Sequence, residues 1–81
     1  MFSAERIRAI LEAQLPDCTA IVRDDLQDGE HFDAEVTSSA FVGLPKVRQH
    51  QLVYGALGAH MRSDIHALAL KTFTPDDWKR R

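Results

Sequence analysis

Four histidines, one cysteine and scattered acidic and basic residues are the groups through which this chain could do chemistry. His66 stands at the entrance of the apolar run Ile65-His66-Ala67-Leu68-Ala69-Leu70, where an imidazole can reach the surface while its neighbours are held in a core. Such a place suits a ligand or a contact residue. His50 falls inside a helical stripe and reads as a structural histidine, hydrogen-bonded to a neighbour. His60 points to the flank of the same helix without an evident partner. Cys18 has no basic group or histidine nearby in sequence to lower its pKa, so it reads as an inert thiol. Being single, it excludes an internal disulfide and a thiolate-only metal site within one chain. Asp24, Asp25 and Asp28 lack the ligand pattern of a calcium loop, with its terminal Glu. Lys46 and Arg48, with Arg62 further on, could line a phosphate-contacting surface near Gly43-Leu44-Pro45-Lys46, where a helix N-terminus adds partial positive charge. The sequence has no Gly-rich phosphate loop, His-Glu-x-x-His, Cys-x-x-Cys or nucleophile elbow, so a binding module is expected rather than an enzyme.

The elements that must position these groups follow from periodicity. Ser3 caps a first helix over Ala4 to Leu15, in which Ile7, Ile10, Leu11 and Leu15 recur at helical spacing until Pro16 stops the run. Its other face, with Glu5, Arg6, Arg8 and Glu12, is solvated. Thr19 to Arg23 is a short β-branched strand, and the polar stretch from Asp24 to Gly29 carries the Asp-Gly turn signal. His31 to Thr37 alternates, with Phe32, Ala34 and Val36 toward a core and His31, Asp33, Glu35 and Thr37 toward water. A second helix is expected from Pro45 to Met61, its apolar stripe made of Val47, His50, Tyr54, Leu57 and Met61, with Val53 at the border. The run from Ile65 fits a central strand, with Ile65, Ala67, Ala69 and Phe73 on one side and His66, Leu68, Leu70 and Thr72 on the other. It ends in Thr74-Pro75-Asp76-Asp77, where Thr74 caps a last helix, Pro75 suits its first position and Asp77 completes a capping box.

The predicted order is helix, strand, strand, helix, strand, helix. A hairpin followed by a helical crossover gives an α+β domain, with a mixed three-stranded sheet and helices packed on one face. At 81 residues, a single domain over 1–81 and a two-layer core are expected. A net charge of -2 argues against a surface that is wholly a nucleic-acid footprint, while leaving local basic patches open. The first residues have no basic or apolar leader pattern, and no stretch approaches the roughly 20 apolar residues of a membrane span, so the expected location is cytoplasmic.

Two blocks of fixed order carry a resemblance. Phe41-Val42-Gly43-Leu44-Pro45-Lys46-Val47-Arg48-Gln49-His50-Gln51-Leu52-Val53-Tyr54 is followed by Ile65-His66-Ala67-Leu68 and by Lys71-Thr72-Phe73-Thr74-Pro75-Asp76-Asp77-Trp78. Together with the Asp-Gly-Glu-His-Phe hairpin they resemble the BolA family over nearly the whole chain, in its short-loop branch. The resemblance implies a fold related to the class II KH domain. It also implies pairing with a monothiol glutaredoxin, in a heterodimer that can hold a glutathione-supported [2Fe-2S] cluster for iron-sulfur trafficking or iron sensing. No cofactor is then expected in the isolated chain. His66 matches the family's C-terminal histidine, the cluster ligand. A second Cys or His usually lies in the family's hairpin loop; here Asp28 aligns with the loop cysteine, and His31 is the second ligand candidate. An apo complex with the glutaredoxin is the alternative to a shared cluster.

Some members of the family are described as DNA-binding regulators, which gives a second functional class. In a KH-like nucleic-acid binder, Lys46, Arg48 and Lys71 would sit on phosphates. Gly43-Leu44-Pro45-Lys46 lacks the second glycine of the Gly-x-x-Gly loop, and the chain offers no aromatic stacking platform, so the adaptor reading leads. Homodimerisation and weak DNA binding are the further partner expectations.

Overall fold

A computed structural model describes residues 2–81. The order is α1 (Ala4–Gln14), β1 (Thr19–Arg23), β2 (His31–Thr37), a 3-10 turn (Ser39–Phe41), α2 (Lys46–Leu57), α3 (His60–Ser63), β3 (Ala67–Phe73) and α4 (Pro75–Arg80). Two of the expected caps are made. Ser3 Oγ accepts from the Arg6 N–H, and Thr74 Oγ1 accepts from the Asp77 N–H, each at 3.1 Å. Pro75 occupies the start of α4, where its missing N–H costs nothing.

The sheet is mixed, as predicted, in the order β1-β2-β3. β1 runs antiparallel to β2, and β2 runs parallel to β3 with His31 opposite Ala67. The C-terminal strand is therefore an edge strand, and the central place belongs to β2. The crossover explains this: a helix between parallel strands carries the chain past β2 to its free side, and no described strand pairs with the outer edge of β3. Phe32, Ala34 and Val36 of β2 are buried together with Ile7 and Leu11 of α1, Phe41, Val53 and Leu57 of α2, and Ile65. Leu68, Leu70 and Thr72 are the side of β3 that faces this core, while Ala67, Ala69 and Lys71 are exposed. Thr37 is also buried rather than wet, because β2 continues directly into the buried Ser38, whose hydroxyl donates to Pro16 C=O at 2.6 Å.

The second helix departs most from expectation. It stops at Leu57, where Gly58 adopts φ 57° and breaks the run, so that His60–Ser63 forms a separate turn of helix. Its buried line is Gln49, Val53 and Leu57, rotated by roughly 80° from the expected stripe at 100° per residue. Val47 is 62% exposed and Tyr54 39% exposed. His50 is half-buried on the flank of the helix, its ring edge-on to Tyr54 at 6.4 Å. The reason is a polar anchor that hydrophobic periodicity does not register. Gln49 is 4% exposed; its amide donates to Phe41 C=O at 3.2 Å and to Leu44 C=O at 2.8 Å, and its Oε1 accepts from Thr72 Oγ1 at 2.7 Å. Thr72 itself is 1% exposed.

One side chain thus ties α2 to β3 and to the loop before α2. Replacing Gln49 with Leu keeps volume but leaves the Thr72 hydroxyl and two carbonyls without this partner, which should cost about 2–4 kcal/mol. Urea denaturation measures it, and a loss below about 0.5 kcal/mol would show that water or a shifted backbone satisfies these groups equally well.

Candidate functional site

Parallel pairing brings the starts of β2 and β3 to the same end of the sheet, and there the structure brings together two of its histidines, His31 and His66. The segment Asp24–Glu30 that leads into β2 is folded by its own carboxylates. Asp24 Oδ2 accepts from the Gly29 N–H at 3.1 Å, while Asp28 Oδ1 accepts from the N–H groups of Glu30 and His31 at 2.9 and 3.0 Å. Gly29 takes φ 69°, a conformation in which a Cβ would be strained, and this lets the chain turn back into β2. Asp28 then reaches the ring of His31, Oδ2 to Nδ1 at 2.7 Å.

His66 meets this loop from β3. The backbone N–H groups of both His66 and Ala67 donate to Glu30 C=O, each at 3.0 Å. Two consecutive N–H groups cannot share one acceptor in a regular strand, where they point in opposite directions. The backbone therefore turns at His66, and the simple alternation that put its ring on the side of Leu68 does not hold. The ring lies beside that of His31, edge to face, with centroids 5.0 Å apart. His66 is exposed and the His31 side chain 42% exposed.

Asp28 sets the tautomer of this pair. Two backbone N–H groups and the His31 ring push its carboxyl down to about 2, so at neutral pH it is an anion that can only accept. His31 Nδ1 must then carry the proton of that hydrogen bond, which leaves the lone pair of a neutral ring on Nε2. A carboxylate that fixes one ring nitrogen while the other stays open is the arrangement found behind ligating histidines. Asp28 is thus present as a group that orients the His31 ring. The Asp-Gly signal foretold a turn at this point, but nothing in the spacing revealed that the same aspartate would hold His31.

The other candidates lie elsewhere. Lys46, His50 and Lys71 line an open groove of about 310 Å³ between the start of α2 and the outer part of β3, with Leu70, Thr72 and Phe73 as its other walls. The Lys46 ammonium donates to Thr72 C=O and lies 5.4 Å from the centre of the Phe73 ring. Arg48 sits apart, in a second depression with Leu44, Gln51 and Leu52. His60, for which the sequence suggested no partner, has two: its Nδ1 is 2.5 Å from Asp64 Oδ2 and its ring 4.8 Å from that of Phe2. Cys18 is half-buried, and desolvation, with Glu12 nearby, pushes its thiol up to about 11; this is an unreactive thiol. No helix among the described residues is long and apolar enough to cross a membrane.

Comparison with known proteins places this geometry in context. The family model described as BolA-like protein matches residues 6–77. The DNA-binding transcriptional regulator BolA of Haemophilus influenzae is 43% identical over 49 residues, which are 60% of this chain and 48% of that protein. The acid stress protein IbaG of Escherichia coli is 37% identical over 54 residues, 65% of this chain and 64% of its own length. The matched stretch thus spans less than half of the first of these relatives and just under two thirds of the second. A solved BolA homologue from Coxiella burnetii superposes with a TM-score of 0.86 at 43% identity, covering 99% of this chain and 100% of its own.

The loop has a definite pH signature. An unperturbed aspartate titrates near 3.8 and folded Asp28 near 2, so its hold on the loop is complete above the higher value and is lost as pH falls through the lower one. The amide proton shifts of Glu30 and His31 should titrate together with a midpoint near 2. A midpoint near 3.8 would mean that Asp28 does not accept from them.

Proposed function

Because this chain belongs to the BolA-like family, we propose that it is a non-enzymatic adaptor that pairs with a monothiol glutaredoxin and shares a [2Fe-2S] cluster with it and glutathione. The observation that carries the reading is the exposed His31–His66 pair, 5.0 Å between ring centroids, at the common end of β2 and β3. The donor set suits the group. Imidazole nitrogen ligates iron in [2Fe-2S] centres of the Rieske kind, where it raises the potential above that of all-thiolate sites. In this assignment His66 is the principal ligand, His31 the second, and Asp28 orients the His31 ring through Nδ1 so that Nε2 faces outward. The glutaredoxin and glutathione would supply sulfur. The cluster is the adaptor's cargo, which agrees with a chain whose only thiol is half-buried and held protonated.

A second reading, KH-like nucleic-acid binding, draws on the name of the Haemophilus relative and on the groove that brings Lys46 and Lys71 together. It is the weaker of the two. The Lys46 ammonium is occupied by a carbonyl of its own chain, Arg48 faces a different depression, and the net charge is negative. Binding of this kind would rest on phosphates and fall steeply with salt.

The test is to mix the chain with a monothiol glutaredoxin, iron, sulfide and glutathione, and to follow the mixture by size exclusion and visible circular dichroism. The wild-type chain should form a heterodimer with a spectrum distinct from that of the glutaredoxin homodimer. His66→Ala should fold, still form the heterodimer, and shift the spectrum toward the all-sulfur homodimer; His31→Ala should give a partial version of that change. A confirmed His66→Ala heterodimer with an unchanged spectrum would remove His66 from the site.

A further inference from the structure

β3 forms one edge of the sheet, and two bonds settle which of its backbone groups face away from β2. The Ala67 N–H donates to Glu30 C=O, and Phe73 C=O accepts from the Ser38 N–H, both on the β2 side. Alternation then turns the groups of Ala67, Ala69, Lys71 and Phe73 toward β2 and those of Leu68, Leu70 and Thr72 outward. Thr72 C=O, which this parity frees from β2, is the carbonyl that the Lys46 ammonium reaches. Beside this edge runs the groove of about 310 Å³ that Leu70, Phe73 and His50 wall together with Lys46 and Lys71. Its charge has one sign. α2 and β3 carry Lys46, Arg48 and Lys71 and no Asp or Glu, although the whole chain has 12 acidic residues against 10 basic ones. Glu35, opposite Lys71 on β2, is engaged by Arg23 at 3.2 Å and by Arg81 at 3.8 Å, and Lys71 forms no ion pair among the described residues.

We propose that this edge takes an extended acidic segment of another protein as a fourth strand, in which apolar side chains alternate with carboxylates. Backbone pairing with Leu68, Leu70 and Thr72 supplies the adhesion, and the alternation of side chains supplies the selection. Successive side chains of an added strand fall on opposite faces of the sheet. The apolar ones lie on the helical side, against Leu70 and the His50 ring, and the carboxylates lie on the open side beside Lys71. Level with Thr72, a carboxylate draws the Lys46 ammonium off the carbonyl, which an uncharged strand cannot do. Lys46 thus guards the edge against indiscriminate pairing while admitting an acidic partner. A second copy of β3 is a poor occupant, because Lys46 and Lys71 of both copies would meet along one seam. Nucleic acid shares the charge but has no row of amides to complete the edge. The groove lies at the end of β3 away from His31 and His66, so the proposal does not rest on the adaptor reading.

The test is a titration of the whole, isotopically labelled chain with a short blocked peptide of alternating valine and glutamate, followed through the backbone amides. Saturable binding is expected, with slower amide exchange at Leu68, Leu70 and Thr72 and no change at Ala69 and Lys71, which are already paired with β2. Lys71→Glu should weaken binding of this peptide by about fivefold or more and should improve binding of a peptide of alternating valine and lysine, which the wild type rejects. Two analogues, one N-methylated at every valine and the other at every glutamate, separate strand pairing from charge attraction. The analogue whose methyl groups face β3 should fail, and the other should bind. His31→Ala and His66→Ala should bind the peptide as the wild type does, so this proposal and the adaptor reading can fail separately. Absence of saturable binding, protection spread evenly from Leu68 to Phe73, equal binding of the two methylated analogues, or equal binding of the glutamate and lysine peptides by the wild type would each overturn the proposal. A single-stranded oligonucleotide is the parallel arm. If it occupies the groove and the peptide does not, the face serves phosphates and the proposal falls.

Discussion

A single buried amide, Gln49, sets the relation between the helical layer and the sheet. Its two N–H bonds fix the turn that leads into α2, and its oxygen takes the Thr72 hydroxyl of β3. An unpaired polar group in this position would cost more than the bonds return, so the network is stabilising only when complete. That requirement fixes the rotation of α2 about its axis and its height along β3. Hydrophobic burial by Val53 and Leu57 then follows a line already chosen by the polar contact. Lys46 adds to the same restraint from the start of the helix, donating to the carbonyl of Thr72 at the sheet edge. A charged group over an edge strand also discourages that edge from pairing with another chain.

With α2 fixed as the crossover, β3 must lie parallel to β2, and the parallel register places Ala67 opposite His31. The histidine site is a consequence of that topology. Residues 31 and 66 are far apart in sequence, and an antiparallel third strand would have put them at opposite ends of the sheet. The site is then finished locally, by Asp28 on one ring and by the shared Glu30 carbonyl that turns the other ring toward it. Little burial is involved. The rings stay accessible because the loops that hold them are secured through backbone hydrogen bonds, and an accessible pair of imidazoles is what a shared or exchangeable ligand requires.

Much of this was legible in the residues. Ser3 and Thr74 announced their helices, the alternation from Phe32 to Val36 named the buried face of β2, and the order of elements gave the mixed sheet. The two family blocks led to His66. What escaped was polar or non-local. Hydropathy put Val47, His50 and Tyr54 in the core because a periodicity counts apolar residues and assigns no weight to a glutamine with three partners. Strand order is not contained in the strand itself, so an apolar run that becomes an edge strand under a helix reads like a central one. The break at Gly58 was hidden by apolar and small residues on both sides. Asp28 looked like a missing ligand because an alignment position reports identity, whereas its role depends on the ring three residues ahead.

The account stands on the claim that β2 and β3 jointly present two imidazoles to one iron-sulfur centre. Its most direct measurement is electron-nuclear double resonance on the reduced mixed complex, with isotopically labelled histidine in this chain alone. Couplings from two histidine nitrogens bonded directly to iron are predicted, and replacing His66 should remove one of them. A confirmed heterodimer carrying a cluster without any coupling from this chain's histidines would contradict the account.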